Sequence, residues 1–136
     1  MLILAAYLAA SGASFACTPV RVWDGDGPIW CAEGPRVRLA GIAAREIDGS
    51  CRRYHPCPRA SGIEARDRLV ALLGGAVGRS RSGHIIVRGP LLTCQSVGRT
   101  YRRIAARCSA RHVGDLGSAL VRAGVALKWD EPHGRR

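Results

Sequence analysis

The six cysteines of this 136-residue chain constrain its fold more than any other feature. An even number of cysteines in a small chain indicates a disulfide framework, although the number alone does not select a connectivity. Pairing is favoured where two cysteines close a short loop or flank a predicted hairpin, and the remaining two then pair with each other. This reasoning predicts Cys51–Cys57, Cys94–Cys108 and Cys17–Cys31.

A zinc site is the alternative for one part of this framework. Cys51, His55 and Cys57 lie within one short loop that is rich in arginine and proline. Structural zinc sites use four ligands, usually from two separated clusters, and no matching second cluster is evident in the sequence. The spacing therefore favours a disulfide over a zinc ion.

The N-terminus resembles a secretory signal peptide over residues 1–16. Leu2 to Ala10 is a short apolar run, and Ser14 to Ala16 offers small residues at the positions that a signal peptidase reads. The run is shorter than the roughly 20 residues that span a bilayer. Cleavage after Ala16 would leave Cys17 first, where a lipid anchor is one alternative. A buried first strand is the other.

Length and charge predict one exported basic domain. The chain is long enough for a single core, which we place at residues 17–130, followed by a polar tail at 131–136. The net charge is +11, and Lys128 is the only lysine. Such a surface attracts polyanions such as nucleic acid, although a compositional bias toward arginine would give the same count. A periplasmic or secreted location follows from the leader and the cysteines.

The hydrophobic pattern predicts short strands with one helix in the middle and one near the end. Ser61 can cap the first helix, which Gly74 and Gly75 end. The predicted strands are 18–24, 28–31, 36–42, 84–87, 91–94 and 101–108, the helices are 61–73 and 116–123, and the connectors are 43–60 and 78–83. This order indicates an α+β fold, namely a five-stranded OB-like β-barrel with two to three helices.

Four short motifs stand in order along the chain. They are the acidic turn Trp23-Asp24-Gly25-Asp26-Gly27, the arginine strand at 37–42, Tyr101-Arg102-Arg103, and the helix at 119–124. Together they resemble the staphylococcal nuclease (thermonuclease) family over about residues 20–130. The resemblance implies the same OB-like fold and hydrolysis of phosphodiesters in DNA or RNA.

The resemblance also implies roles for individual residues. Asp26 and Glu46 fall where the family binds Ca²⁺, and Glu46 also falls at its catalytic glutamate. Arg38 and Arg103 fall at its two phosphate-binding, catalytic arginines. Arg99 follows a glycine and is a rival for the substrate-binding role of Arg103.

Three departures from the family affect the metal. Ala43 stands where a second calcium carboxylate is expected, Ala44 follows it, and Arg45 replaces a proline and adds a repelling charge. Asp24 or Asp48 could substitute for the missing carboxylate, but we expect Asp24 to point elsewhere on the turn. We therefore expect Ca²⁺ binding to be weak.

The sequence predicts an exported, monomeric nuclease-like phosphodiesterase that cleaves DNA or RNA with little sequence preference and has no stable membrane span. The alternative is a degenerate nuclease fold that binds nucleic acid or another polyanion without cleavage. A basic module for an acidic protein or an envelope polymer is a third reading. Trp23, Trp30 and Trp129 could stack on bases, but we expect at least two of them to pack in the core.

Overall fold

Short strands and tight turns give this chain a mostly β structure, which is a computed structural model that describes residues 12–100 and 102–130. The strands are β1 Ser14–Cys17, β2 Pro19–Asp24, β3 Gly27–Cys31, β4 Arg36–Leu39, β5 Ile42–Ala43, β6 Ala76–Arg79, β7 Ile85–Val87, β8 Leu92–Thr100, β9 Arg103–Ala110, β10 Gly114–Asp115 and β11 Leu127–Lys128. The helices are α1 Gly62–Leu72 and α2 Leu116–Arg122.

Most strands belong to one mixed sheet with the order β1-β8-β9-β4-β3-β2-β7-β6, and β10 also pairs with β9. The pairing of β4 with β9 is parallel, whereas its other ladders are antiparallel. β11 pairs with β5 in a separate ladder. This arrangement is compatible with the predicted α+β class. No pairing among residues 12–100 and 102–130 joins β1 to β6, so the closed barrel stays a prediction.

The predicted count of five strands is too low. β6 forms at 76–79, at the start of what was expected to be a connector, because its backbone pairs with β7 through a bulge despite Gly78. β8 was expected to end near Cys94. It continues to Thr100 because a bulge between Ser96 and Gly98 keeps it paired with β9. Tyr101 lies outside the described residues, and β9 begins at Arg103.

Helix α1 begins as predicted. Ser61 and Glu64 form a capping box, in which each side chain bonds the other residue's backbone N–H at 3.0 Å. Such a box satisfies amide groups that the first helical turn leaves without partners. Ala65, Leu69 and Leu73 are fully buried against the sheet, and two glycines with positive φ follow, at 74 and 75. The core thus lies between the sheet and the two helices.

The structure contains the three predicted disulfides, Cys17–Cys31, Cys94–Cys108 and Cys51–Cys57. The first two are buried and join β1 to β3 and β8 to β9. The third lies in the partly exposed 43–60 loop, and it consumes the two thiols that the zinc alternative would need. Three disulfides are typical of a protein that folds in an oxidising compartment.

Residues 14–17 form β1, which pairs with β8 and buries Phe15. The predicted cleavage point after Ala16 falls inside this strand. The apolar run at 2–10 and the tail at 131–136 lie outside the described residues, so the signal peptide stays a prediction. Within the described part of the chain, neither helix has the length and apolar character needed to cross a membrane.

Candidate functional site

The acidic turn connects β2 to β3 and is held between α1 and β4. A side chain at Gly25 would collide with Ala65, so the turn lies directly against α1. The carbonyl of Asp26 accepts a hydrogen bond from the backbone N–H of Leu39 at 2.9 Å. This bond fixes Asp26 beside β4, next to Arg38.

Arg38 lies in β4 and is only 3% exposed. Its positive charge acts on Asp26. The guanidinium carbon also lies 5.7 Å from the ring centre of Trp129, whose backbone N–H donates to the carbonyl of Gly41 at 2.9 Å. His55 packs against the same indole with ring centres 3.8 Å apart. Arg38 is therefore held between the acidic turn and an aromatic pair.

Glu46 is positioned by a turn in the 43–60 loop and by the start of α1. Its backbone N–H donates to the carbonyl of Ser50 at 2.8 Å, and a side chain at Gly62 would collide with the Glu46 carbonyl. The carboxylate accepts a hydrogen bond from Arg52 Nε at 2.6 Å, and 26% of its side chain is exposed. Glu46 is thus fixed at both its backbone and its side chain.

Asp24 completes a cluster of three carboxyl groups. Its side chain is almost fully buried and interacts with both Asp26 and Glu46. Burial, the nearby charges of these two acids and hydrogen bonds with them raise the pKa of Asp24 from 3.8 to about 10. Our expectation that Asp24 points elsewhere is therefore wrong, because both ends of this tight turn direct their carboxyl groups to one side.

The three acids respond differently to their surroundings. Burial raises the pKa of Asp26, although the bond with Asp24 and the charge of Arg38 oppose this effect. Burial also acts against ionisation of Glu46, but hydrogen bonds from Asp24 and Arg52, and the charges of Arg52 and Arg103, hold its pKa below the usual value. At neutral pH the cluster therefore holds a proton on Asp24 and a negative charge on Glu46.

Arg103 begins β9 and reaches the same region because β9 runs parallel to β4, with Ile104 opposite Val37. Its charge acts on Glu46. Arg99 is exposed in β8, and no contact described for residues 12–100 and 102–130 joins it to the acids. The structure thus brings Asp26, Arg38, Glu46 and Arg103 together and leaves Arg99 apart.

The departures from the family pattern also have structural positions. Ala43 is buried in β5, where it pairs with Leu127. Asp48 is exposed and bonds Ser50, so it does not replace the missing carboxylate. The Arg45 guanidinium donates to the carbonyls of Pro58 and Gly49, each at 2.7 Å. Arg45 therefore braces the loop that carries Glu46.

The acids are not arranged as a ready metal cage. In the part of the chain that the structure describes, no three His, Cys, Asp or Glu side chains converge closely enough to hold a metal ion. Asp24 Oδ1 is nonetheless buried without a hydrogen-bond partner among these residues. An oxygen in that state fits a cation, because a carboxylate oxygen is a ligand that Ca²⁺ prefers.

Sequence reasoning missed the roles of Asp24 and Arg52. The separation of Asp24 and Asp26 by one glycine at a hairpin turn was the available signal for the first. For Arg52 the sequence offered only its nearness to Glu46. The expectation for the tryptophans was also wrong, since Trp23, Trp30 and Trp129 all lie outside the buried core.

No family model, curated protein or solved structure matches this chain. Its function is therefore inferred from the geometry and charge of its own residues.

Proposed function

We propose that the protein is a phosphodiesterase that hydrolyses DNA or RNA with little sequence preference, on an OB-like fold of the staphylococcal nuclease type. The observation that carries this proposal is the meeting of one ionised carboxylate, Glu46, with two separated arginines, Arg38 and Arg103. The strongly basic chain supports a polyanionic substrate.

The chemistry divides between the arginines and the glutamate. Hydrolysis of a phosphodiester increases the negative charge on the phosphoryl oxygens in the transition state. Arg38 and Arg103 carry guanidinium groups that can each bind two oxygens and stay protonated. Glu46 keeps a lowered pKa, so at neutral pH it is ready to accept a proton from the attacking water.

A divalent cation such as Ca²⁺ fits the same cluster. Asp24, Asp26 and Glu46 would hold it, and the partnerless oxygen of Asp24 supports this assignment. When bound, the ion would supply positive charge near the phosphate. Asp24 would then release its proton, since an ionised carboxylate is the better ligand.

The proposed location is the periplasm or the exterior of the cell, and the proposed form is a monomer. The three disulfides support an oxidising compartment. The predicted leader at residues 1–16 supports export.

Replacement of Glu46 and Arg38 tests the proposal. We expect Glu46→Gln and Arg38→Ala each to lower cleavage of single-stranded DNA by about 10²- to 10⁴-fold, since each removes a group that acts in the transition state. Gel assays of the oxidised protein in calcium, magnesium, manganese and chelator measure this. Glu33→Gln and Arg79→Ala are matched controls, because both residues are exposed and lie outside the cluster. Full activity in either site variant, with normal melting, would contradict the assignment.

A binding protein without catalysis is the second candidate. It is favoured by Ala43, which offers no carboxylate, and by Arg52, which occupies Glu46. This function predicts binding that weakens steeply with salt and no turnover with any of the metals. Cleavage that depends on Glu46 would exclude it.

A further inference from the structure

A groove with aromatic and cationic walls lies beside the acidic cluster. Its volume is about 410 Å³. Its walls include Trp23, Trp30, His84, Arg36, Pro28 and Arg103. The proposed hydrolysis uses only the last of these residues.

The aromatic rings of the groove pack against one another. The ring centre of His84 lies 5.0 Å from that of Trp23 and 4.8 Å from that of Trp30. Trp23 is nevertheless 36% exposed. A side chain at Gly83 would reach the Trp23 ring, so glycine permits the close approach of this loop. The packing holds Trp23 in place while part of its indole remains open to solvent.

Arginines surround these rings. The guanidinium carbon of Arg36 lies 4.0 Å from the ring centre of Trp30, and that of Arg21 lies 5.4 Å from it. Burial and the charges of these two arginines lower the pKa of His84, so its ring is neutral at neutral pH. The groove therefore combines uncharged stacking surfaces with fixed positive charges at its edges.

The groove is continuous with the site. Trp23 directly precedes Asp24 in β2, and Pro28 follows the acidic turn in β3. Arg103 lines the groove, and its charge also acts on Glu46. A polymer with one phosphate at the acidic cluster would thus place a neighbouring unit in the groove.

We propose that this groove binds an unpaired nucleobase next to the scissile phosphate. The base stacks on the exposed part of Trp23, and Arg36 and Arg103 contact the phosphates on either side. Aromatic side chains stack on any base, so the groove binds without sequence preference. A paired base has both faces covered by its neighbours, so the groove selects single strands over duplex. The identity of the ligand rests on the proposed function.

Binding in the presence of chelator tests the groove apart from cleavage. The probes are a fluorescent oligothymidylate of about ten nucleotides, an abasic phosphodiester of the same length and a matching duplex. Fluorescence anisotropy gives the affinity of the full chain for each. Trp23→Ala is expected to weaken binding of oligothymidylate by roughly 5- to 150-fold and of the abasic strand by less than about twofold. Trp23→Phe keeps a stacking ring and is expected to retain most of the affinity.

Matched controls separate stacking from general charge and from misfolding. Tyr54→Ala removes an exposed aromatic ring that lies over Arg53, away from the groove, and is expected to change nothing. Equal loss on the base-containing and abasic strands would overturn the proposal, as would unchanged affinity in Trp23→Ala or equal affinity of the wild-type chain for duplex. Absence of cleavage under every metal would refute the proposed hydrolysis but leave this result intact.

Discussion

Asp24 is the residue with the most unusual environment in the described chain. A carboxyl group that is 3% exposed and adjoins two other acids stays protonated, and one of its oxygens has no partner among the described residues. Groups held in this way cost stability and are retained where they act on a ligand. Asp24 is therefore the best indicator of function in the cluster.

Stability should fall as pH rises because of this residue. The unfolded chain releases the Asp24 proton near pH 3.8, whereas the folded chain keeps it until about pH 10. Between these values the folded state binds the extra proton, so the free energy of unfolding decreases with increasing pH. Asp24→Asn mimics the protonated form and should flatten this dependence, with a gain of about 0.5–2 kcal/mol at alkaline pH. Thermal unfolding across the pH range measures it, and an unchanged slope would contradict the account.

Arg52 should control the pH at which Glu46 acts. Its hydrogen bond and charge help to lower the pKa of Glu46. Glu46 works as a base only when ionised, so activity is lost as pH falls through its pKa. Arg52→Gln should raise that pKa and shift the acidic limb of the pH–rate profile to higher pH. Arg53→Gln, the neighbouring exposed arginine, is the control. An acidic limb that stays in place would show that Arg52 does not tune the base.

At the scale of elements, most helices and strands could be predicted from local patterns. The capping box at Ser61 and the glycines after Leu73 give the bounds of α1, because these signals act within a few residues. The extension of β8 and the formation of β6 could not be predicted, since bulges and partner strands decide them. The same limit applies to the site: positions along the chain indicated Arg38 and Glu46, whereas the direction of the Asp24 side chain depends on the folded turn.

The contact between α1 and the 43–60 loop should be essential for activity. Gly62 has no side chain, and the Glu46 carbonyl occupies the space that a methyl group would need. Gly62→Ala should displace Glu46 and lower cleavage by roughly 100-fold. Gly78→Ala in β6 is the control, because its added carbon would meet only ordinary contacts with Ile86. Wild-type rates in Gly62→Ala would mean that the loop adjusts without moving the carboxylate.

At the scale of the whole molecule, disulfides and topology divide the work. Cys17–Cys31 and Cys94–Cys108 tie strands within the sheet, and Cys51–Cys57 closes the loop that carries Arg52. The three pairs were predictable because two are local and the third follows by elimination. The open order of the sheet was not, because it depends on which distant strands meet.

The parallel pairing of β4 with β9 has a consequence for the life of the chain. Hairpins such as β2–β3 and β8–β9 can form between neighbouring residues, whereas β4 and β9 must find each other across most of the domain. Arg38 and Arg103 come together only when that pairing is made. A nascent chain would thus carry every reactive group and yet be inert toward nucleic acid in the cell that makes it, acquiring activity only where its folding finishes.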